Sequence, residues 1–277
     1  MFNVLIDTCV WLDLAKDHKQ QALLDALEQL VKAKEVELIL PSQVVDEFAR
    51  NKARIIKESS QSLSSTLKRV REVVQRVAPR KGKRSFLRQL SELDHQLPSF
   101  GERAVETIGR VEALFQITPT IDASHAARLR AMQRGIDKRA PFHKNKNSSA
   151  DALLIEMYAE AVSARPVKGE RFAFVTHNVQ DFSASGGNHK LPHPDIASLF
   201  SARRSLYQIT LGETLRRVSP STLSELMIEQ EWYQDQRRLQ EILNALDLLV
   251  DQVWYNRHKN REYLERVVIR VDCIRRV

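Results

Sequence analysis

Three short apolar runs, set apart by helical stretches, constrain this chain more than any other feature. They are Asn3–Ile6, Val36–Leu40 and Arg171–Thr176, and a fourth, Leu206–Thr210, follows. Runs of this length, bounded by turn signals, read as strands buried on both faces. Between the first two, Leu23, Leu24, Leu27, Leu30 and Val31 recur at three and four over Gln20–Ala33, which marks an amphipathic helix. Trp11–Leu14 read as a turn leading into it. Strand, helix, strand is the βαβ unit of a parallel sheet, so the expected fold class is α/β with a central parallel sheet.

The rest of the chain reads mainly as helix. Pro41-Ser42 breaks the second strand, and Ser42 is able to cap the next helix. Ala49 to about Val77 reads as a long polar, basic helix, interrupted by Ala78-Pro79 and Lys81-Gly82-Lys83. Ser85–His95 and Glu102–Phe115 are further helices, and Asp122 is the expected N-cap of one running to about Arg134. Gly135–Ser149 is a loop, and Asp151 opens an amphipathic helix to about Ala164. Beyond Leu211 no strand is expected. Ser221–Glu231 and Gln234–Trp254 read as helices. Leu239, Leu243, Leu246, Leu249, Val250 and Val253 share one face, suited to the main domain or to self-association with another chain. The expected organisation is a domain over residues 1–211 with a long helical insertion near 50–119, then a C-terminal helical extension over 212–277.

Charge separates the possible partners. The chain carries +8 overall, but Arg50–Leu90 holds 13 basic residues against only Glu58 and Glu72. A local excess of this size points to a polyanion. No window approaches the ~18 consecutive apolar residues of a membrane helix, and MFNVLIDTCV has no basic leader, so it reads as a strand. Cys9 and Cys273, near opposite ends, make no disulfide framework and suit a reducing cytoplasm.

Four acids fall at matched places: Asp7 after the first strand, Glu47 and Asp151 in early turns of helices, and Asp181 after FAFVT. In parallel α/β sheets, ligand sites gather beyond the C-terminal ends of the strands. Clustered carboxylates repel one another and resist ionising. A hard divalent cation with oxygen ligands removes that penalty. Asp46 adjoins Glu47, but helix neighbours point about 100° apart, so one of the two enters such a site. Asp13 reads as a cap or solvent-facing residue, and Glu156 and Glu160 as solvated helix acids; His177, beside Asn178, is placed to touch a phosphate, though a polar loop histidine is more often merely exposed. Lys144–Asn147 precede Asp151 and are placed to touch a nucleic-acid backbone.

The ordered set VLIDTCVWLDL, LPSQVVDEFARN, SSADALLIEMY and FVTHNVQDF resembles the PIN-domain nucleases over about residues 1–211. The resemblance implies a three-layer α/β/α fold and a metal-binding acidic pocket. It matches Asp7, Glu47 and Asp151 to the three core acids, and Asn178 and Asp181 to the pair around the fourth. Many relatives carry aspartate where Asn178 stands. Asp7, Asp151 and Asp181 are then the expected metal ligands, for Mg²⁺ or Mn²⁺. Glu47 is expected to bind metal or orient water. Thr8, Thr176, Asn178, Arg50 and Lys52 are expected on the substrate side. The implied reaction is hydrolysis of RNA phosphodiester bonds, single strands favoured and DNA open.

Other classes fit less well. There is no G-x-x-x-x-G-K-[ST] loop and no G-x-G-x-x-G turn for a nucleotide. An aspartyl phosphatase needs a second Asp two residues after Asp7, where Cys9 stands. A degenerate PIN-like nucleic-acid-binding or scaffold module is the alternative, favoured by Asn178. A toxin held silent by an antitoxin, through the C-terminal helices or the basic insertion, is a third reading.

Overall fold

The computed structural model describes residues 1–16, 20–77, 87–88, 91, 104–144, 148–165, 169–184 and 188–228. Five strands form one parallel sheet: β1 (Phe2–Ile6), β2 (Val36–Pro41), β3 (Thr120–Ile121), β4 (Arg171–Val175) and β5 (Ser205–Gln208). Their spatial order is β3-β2-β1-β4-β5. Every residue of β1 is buried, as expected for a parallel strand covered on both faces. The register is continuous, with Phe2–Ile6 opposite Arg171–Val175 on one side and Phe2–Leu5 opposite Val36–Ile39 on the other.

Helices cover the sheet in a three-layer α/β/α arrangement. They are α1 (Thr8–Lys16), α2 (Gln21–Lys32), α3 (Ser42–Val77), α4 (residues 104–117), α5 (His125–Ile136) and α6 (Ser149–Ser163). Then follow the short α7 (Val179–Phe182) and α8 (Pro194–Ala197), and α9 (Leu211–Val218). Trp11, Phe48 and Phe115 interlock edge to face and join α1, α3 and α4. Phe174 meets Phe182 edge to face and Tyr158 at a tilt, which joins β4 to α7 and α6. Such rings each bury roughly 150–250 Å² and dominate a core of this size.

Met1–Leu223 form one compact unit, and Ser224–Val277 a second. The expected boundary near residue 211 falls at the start of α9. Leu211 and Leu215 of α9 are buried, and a Cβ at Gly212 would lie 3.4 Å from Leu23 of α2. In the second unit the described residues are 224–228, which are helical. The expected helix Gln234–Trp254 and its apolar face lie outside the described residues, as does most of Ser85–His95. No helix among the described residues is long and apolar enough to cross a membrane.

Several local readings are corrected. The first helix starts at Thr8, not after a turn at Trp11, because Trp11 is anchored by its indole N–H to Ile6 O at 3.1 Å. The helix expected after Pro41-Ser42 and the basic helix expected from Ala49 are one continuous helix, Ser42–Val77. Ser124, not Asp122, caps α5: its hydroxyl accepts from Ala127 N at 2.9 Å, while Ile121 still belongs to β3. Glu156 is not a solvated acid. It is buried and receives Arg130 Nε at 2.6 Å and Arg134 Nε at 2.5 Å. Glu160 is likewise tied, to Arg130 and Ser124.

Candidate active site

The strand order places a topological switch point between β1 and β4. The chain moves one way from β1 through β2 to β3, and the other way from β4 to β5. Connections diverge there and leave a crevice beyond the C-terminal strand ends. Asp7 is the first residue after β1, and its N–H donates to Val175 O at 2.9 Å, stitching it to the end of β4. Thr176, His177 and Asn178 follow β4 on the other lip.

A chain of hydrogen bonds links these residues. Thr176 Oγ1 donates to Asp7 Oδ2 at 2.6 Å. The Cys9 thiol donates to the same oxygen at 3.2 Å. Thr176 Oγ1 also accepts from Asn178 N at 3.0 Å, and Asn178 Nδ2 donates to Asp181 Oδ2 at 2.6 Å. On the other flank Thr8 Oγ1 donates to Glu47 Oε2 at 3.0 Å, drawing the second turn of α3 to the start of α1. Asp7, Glu47 and Asp181 therefore belong to one rim. Asp46 is exposed while Glu47 is half-buried, so Glu47 is the member of that pair turned inward.

Asp151 arrives by a different route. It sits half-buried in the first turn of α6, and the start of α6 is tied to the start of α3 by Gln43 Nε2 donating to Ala150 O at 3.2 Å. Among the described residues, no group of three His, Cys, Asp or Glu side chains is set close enough to share an ion. Arg50 stands exposed on α3, one turn beyond Glu47, and makes no ion pair with a described residue. Lys52 is half-exposed, its ammonium 2.6 Å from Glu112. Asn145, Lys146 and Asn147 lie outside the described residues.

The electrostatics centre on Asp7. It is only 6% exposed, and it forms no ion pair with a described lysine or arginine. Burial raises its pKa. The hydrogen bonds from Thr176 and Cys9, and the N–H groups of Thr8 and Cys9 at the start of α1, oppose that shift without cancelling it. Burial pushes the Cys9 thiol up, and the charge of Asp7 adds to the effect, so the thiol is protonated and serves as a donor. The Tyr207 phenol is pushed up to about 12, first by burial and then by Asp7 and Cys9. Its hydroxyl is 2.8 Å from Ser183 Oγ.

These observations bear on whether the residues fit a hard cation. The donors are oxygens, and a buried carboxylate remains short of positive charge after four hydrogen bonds. The chemistry and the electrostatics fit such an ion. The side-chain positions do not form a closed coordination shell.

Cys9, Tyr207 and Asp13 entered no site reading. Only the i, i+4 spacing of Cys9 and Asp13 on α1 hinted that they share a face. Asp13 faces solvent over about half of its side chain, but it is paired with His177, which is not a bare loop residue: His177 Nδ1 lies 2.6 Å from Asp13 Oδ2. An open groove of about 540 Å³ beside β2, lined by Val36, Leu38, Ile117 and Ile121, includes none of the four acids.

A parallel sheet with acids around its switch point defines a class of α/β proteins that act on ligands beyond the strand ends. The family model of the PIN domain matches residues 4–182, and the chain belongs to that family of nuclease-type domains. No curated protein and no solved structure matches it.

Proposed function

We propose that this protein is a divalent-metal-dependent endoribonuclease, using Mg²⁺ or Mn²⁺ to hydrolyse RNA phosphodiester bonds in the cytoplasm. The observation that carries the reading is Asp7: a buried carboxylate at the switch point, short of positive charge and joined through hydrogen bonds to Asp181. Asp7, Asp151 and Asp181 are the residues that would hold the ion. When bound, such an ion lowers the pKa of water and offsets charge on the leaving oxygen. Thr176 and Cys9 hold one oxygen of Asp7, and Asn178 holds one of Asp181. Thr8 sets the rotamer of Glu47, whose carboxylate is then fixed to orient a water.

Purified protein is expected to cut a single-stranded oligouridylate in Mn²⁺ and to stop in EDTA. Glu47→Gln should slow cleavage by at least ~10-fold, a typical loss for a positioned carboxylate. Asp46→Asn should leave the rate unchanged. Equal effects of the two substitutions would overturn the assignment of Glu47.

The exposed Arg50, Lys57, Lys68 and Arg69 along α3 support a polyanion partner. Neutralising Arg50, Lys57 and Arg69 together should lower the log–log salt slope of RNA binding by about 2, from ~0.7 per phosphate contact on a single strand. A slope that does not change would remove α3 from the interface.

A degenerate, binding-only module is the second reading, favoured by the absence of a three-carboxylate cluster among the described residues. RNA binding without cleavage in Mg²⁺, Mn²⁺ or any other divalent cation would select it.

A further inference from the structure

Next to the acidic rim stands a carboxylate–histidine pair to which the reaction above gives no part. His177 lies between Thr176, which bonds Asp7, and Asn178, which bonds Asp181. Its backbone N–H donates to Cys9 Sγ at 3.3 Å, and Cys9 in turn donates to Asp7. This fixes the main chain of His177 against the site. Its ring is fixed separately, by Nδ1 at 2.6 Å from Asp13 Oδ2. Cys9 and Asp13 are four residues apart on α1, one turn of one face, so a single helix sets both anchors.

The other ring nitrogen, Nε2, has no partner among the described residues, and the imidazole is 26% exposed. A carboxylate on one nitrogen orients an imidazole and leaves the second nitrogen for another ligand. The acids of the rim repel a phosphodiester, and Lys52 of α3 is engaged by Glu112. His177 presents its imidazole on this lip, anchored at Nδ1 and partly open at the other edge.

We propose that His177 is a substrate-binding residue whose Nε2–H donates to a non-bridging phosphate oxygen of RNA lying along the rim, with Asp13 as its positioning residue. The ring then bridges two acceptors: Asp13 takes the Nδ1–H and the phosphate takes the Nε2–H. Such a charge-assisted bond is about twice as strong as a neutral one. This inference rests on the rim being the RNA site, but not on cleavage occurring there.

The test measures the affinity of the full-length protein for a fluorescein-labelled five-residue oligouridylate in EDTA, over a range of salt, so that turnover plays no part. His177→Ala is expected to weaken binding by about 5- to 10-fold and to lower the salt slope by ~0.7, one phosphate contact on a single strand. His177→Lys should keep the wild-type slope. Asp13→Asn should weaken binding by ~3-fold with the slope unchanged. Thermal melts check that each variant is folded, and a purely structural role would leave the slope of His177→Ala unmoved. Wild-type affinity and slope in His177→Ala, or a wild type that does not bind the oligomer, would overturn the proposal. A wild type that binds but never cuts would overturn the nuclease reading alone, with His177 still judged by its slope.

Discussion

Asp7→Asn is expected to lower Mn²⁺-dependent RNA cleavage by at least ~10³-fold and, in metal-free protein at neutral pH, to raise the melting temperature. The first effect follows from removing the charge that would hold an ion at the switch point; a loss of that size is about 4 kcal/mol of transition-state stabilisation. The second follows from burial. The folded state holds the Asp7 carboxyl above its ordinary pKa, so the native protein binds a proton that the unfolded chain releases. Stability is lost as pH rises from the unfolded value through the raised folded value, and above that window the whole penalty is present. Asparagine carries no charge to desolvate and keeps an oxygen for Thr176 and Cys9. Its amide hydrogens would face the N–H groups of Thr8 and Cys9, which offsets part of the gain. Burial is the larger influence, so the net gain is ~1 kcal/mol, or roughly 2–4 °C for a unit of this size. Adding Mn²⁺ should raise the melting temperature of the wild type and leave that of Asp7→Asn unmoved. A variant that is less stable without metal and still cuts would refute both halves.

That opposition between stability and chemistry was partly legible in the sequence. β1, β2 and β4 could be read because a strand covered on both faces must be apolar along its length. Asp7 and Thr176 were conspicuous as the residues that end such runs. β3 could not be read: it is two exposed residues after Pro119, too short for any period, and it exists because Leu40 and Pro41 offer it an edge. The start of α1 was missed because Thr8 and Cys9 are weak helix formers. What begins the helix there is the backbone of Asp7 accepting from Val10 at 3.0 Å, together with the indole anchor of Trp11.

The partners of the acids were less visible than the acids. Thr176 and Cys9 both serve Asp7, but Thr176 is 169 residues away from it. Asp13 and His177 are separated by 164 residues, and nothing local in either stretch announces the other. Only the pairing of β1 with β4 brings the two segments together, and pairing partners are not written in a strand's own composition. Strand ends therefore marked where Asp7 and Thr176 lie, whereas the bond between them needed the fold.

Glu156→Ala tests the point most directly, because sequence and structure predict different outcomes. Read along the helix, Glu156 follows Asp151 by five residues and looks like one more solvated acid, whose loss would matter by less than ~0.5 kcal/mol. In the fold, α6 is buried nearly all round, with Ala152, Leu154, Ile155, Met157 and Tyr158 inaccessible, so a charge within it must be paired. Its partners come from α5. Arg134 is 12% exposed, receives its main compensation from Glu156, and reaches Ala140 O at 3.1 Å with its other arm. Removing the carboxylate leaves that guanidinium buried and uncompensated, which costs about 3–5 kcal/mol and should lower the melting temperature by on the order of 10 °C. Arg130 is 46% exposed and retains Glu160, so it contributes little to the loss. Arg134→Met combined with Glu156→Leu should recover most of the stability, since apolar groups of similar volume replace a buried pair at small cost. A melting temperature within ~1 °C of wild type for Glu156→Ala would mean that Arg134 finds water or another acid, and that α5 and α6 are held together by their apolar contacts alone.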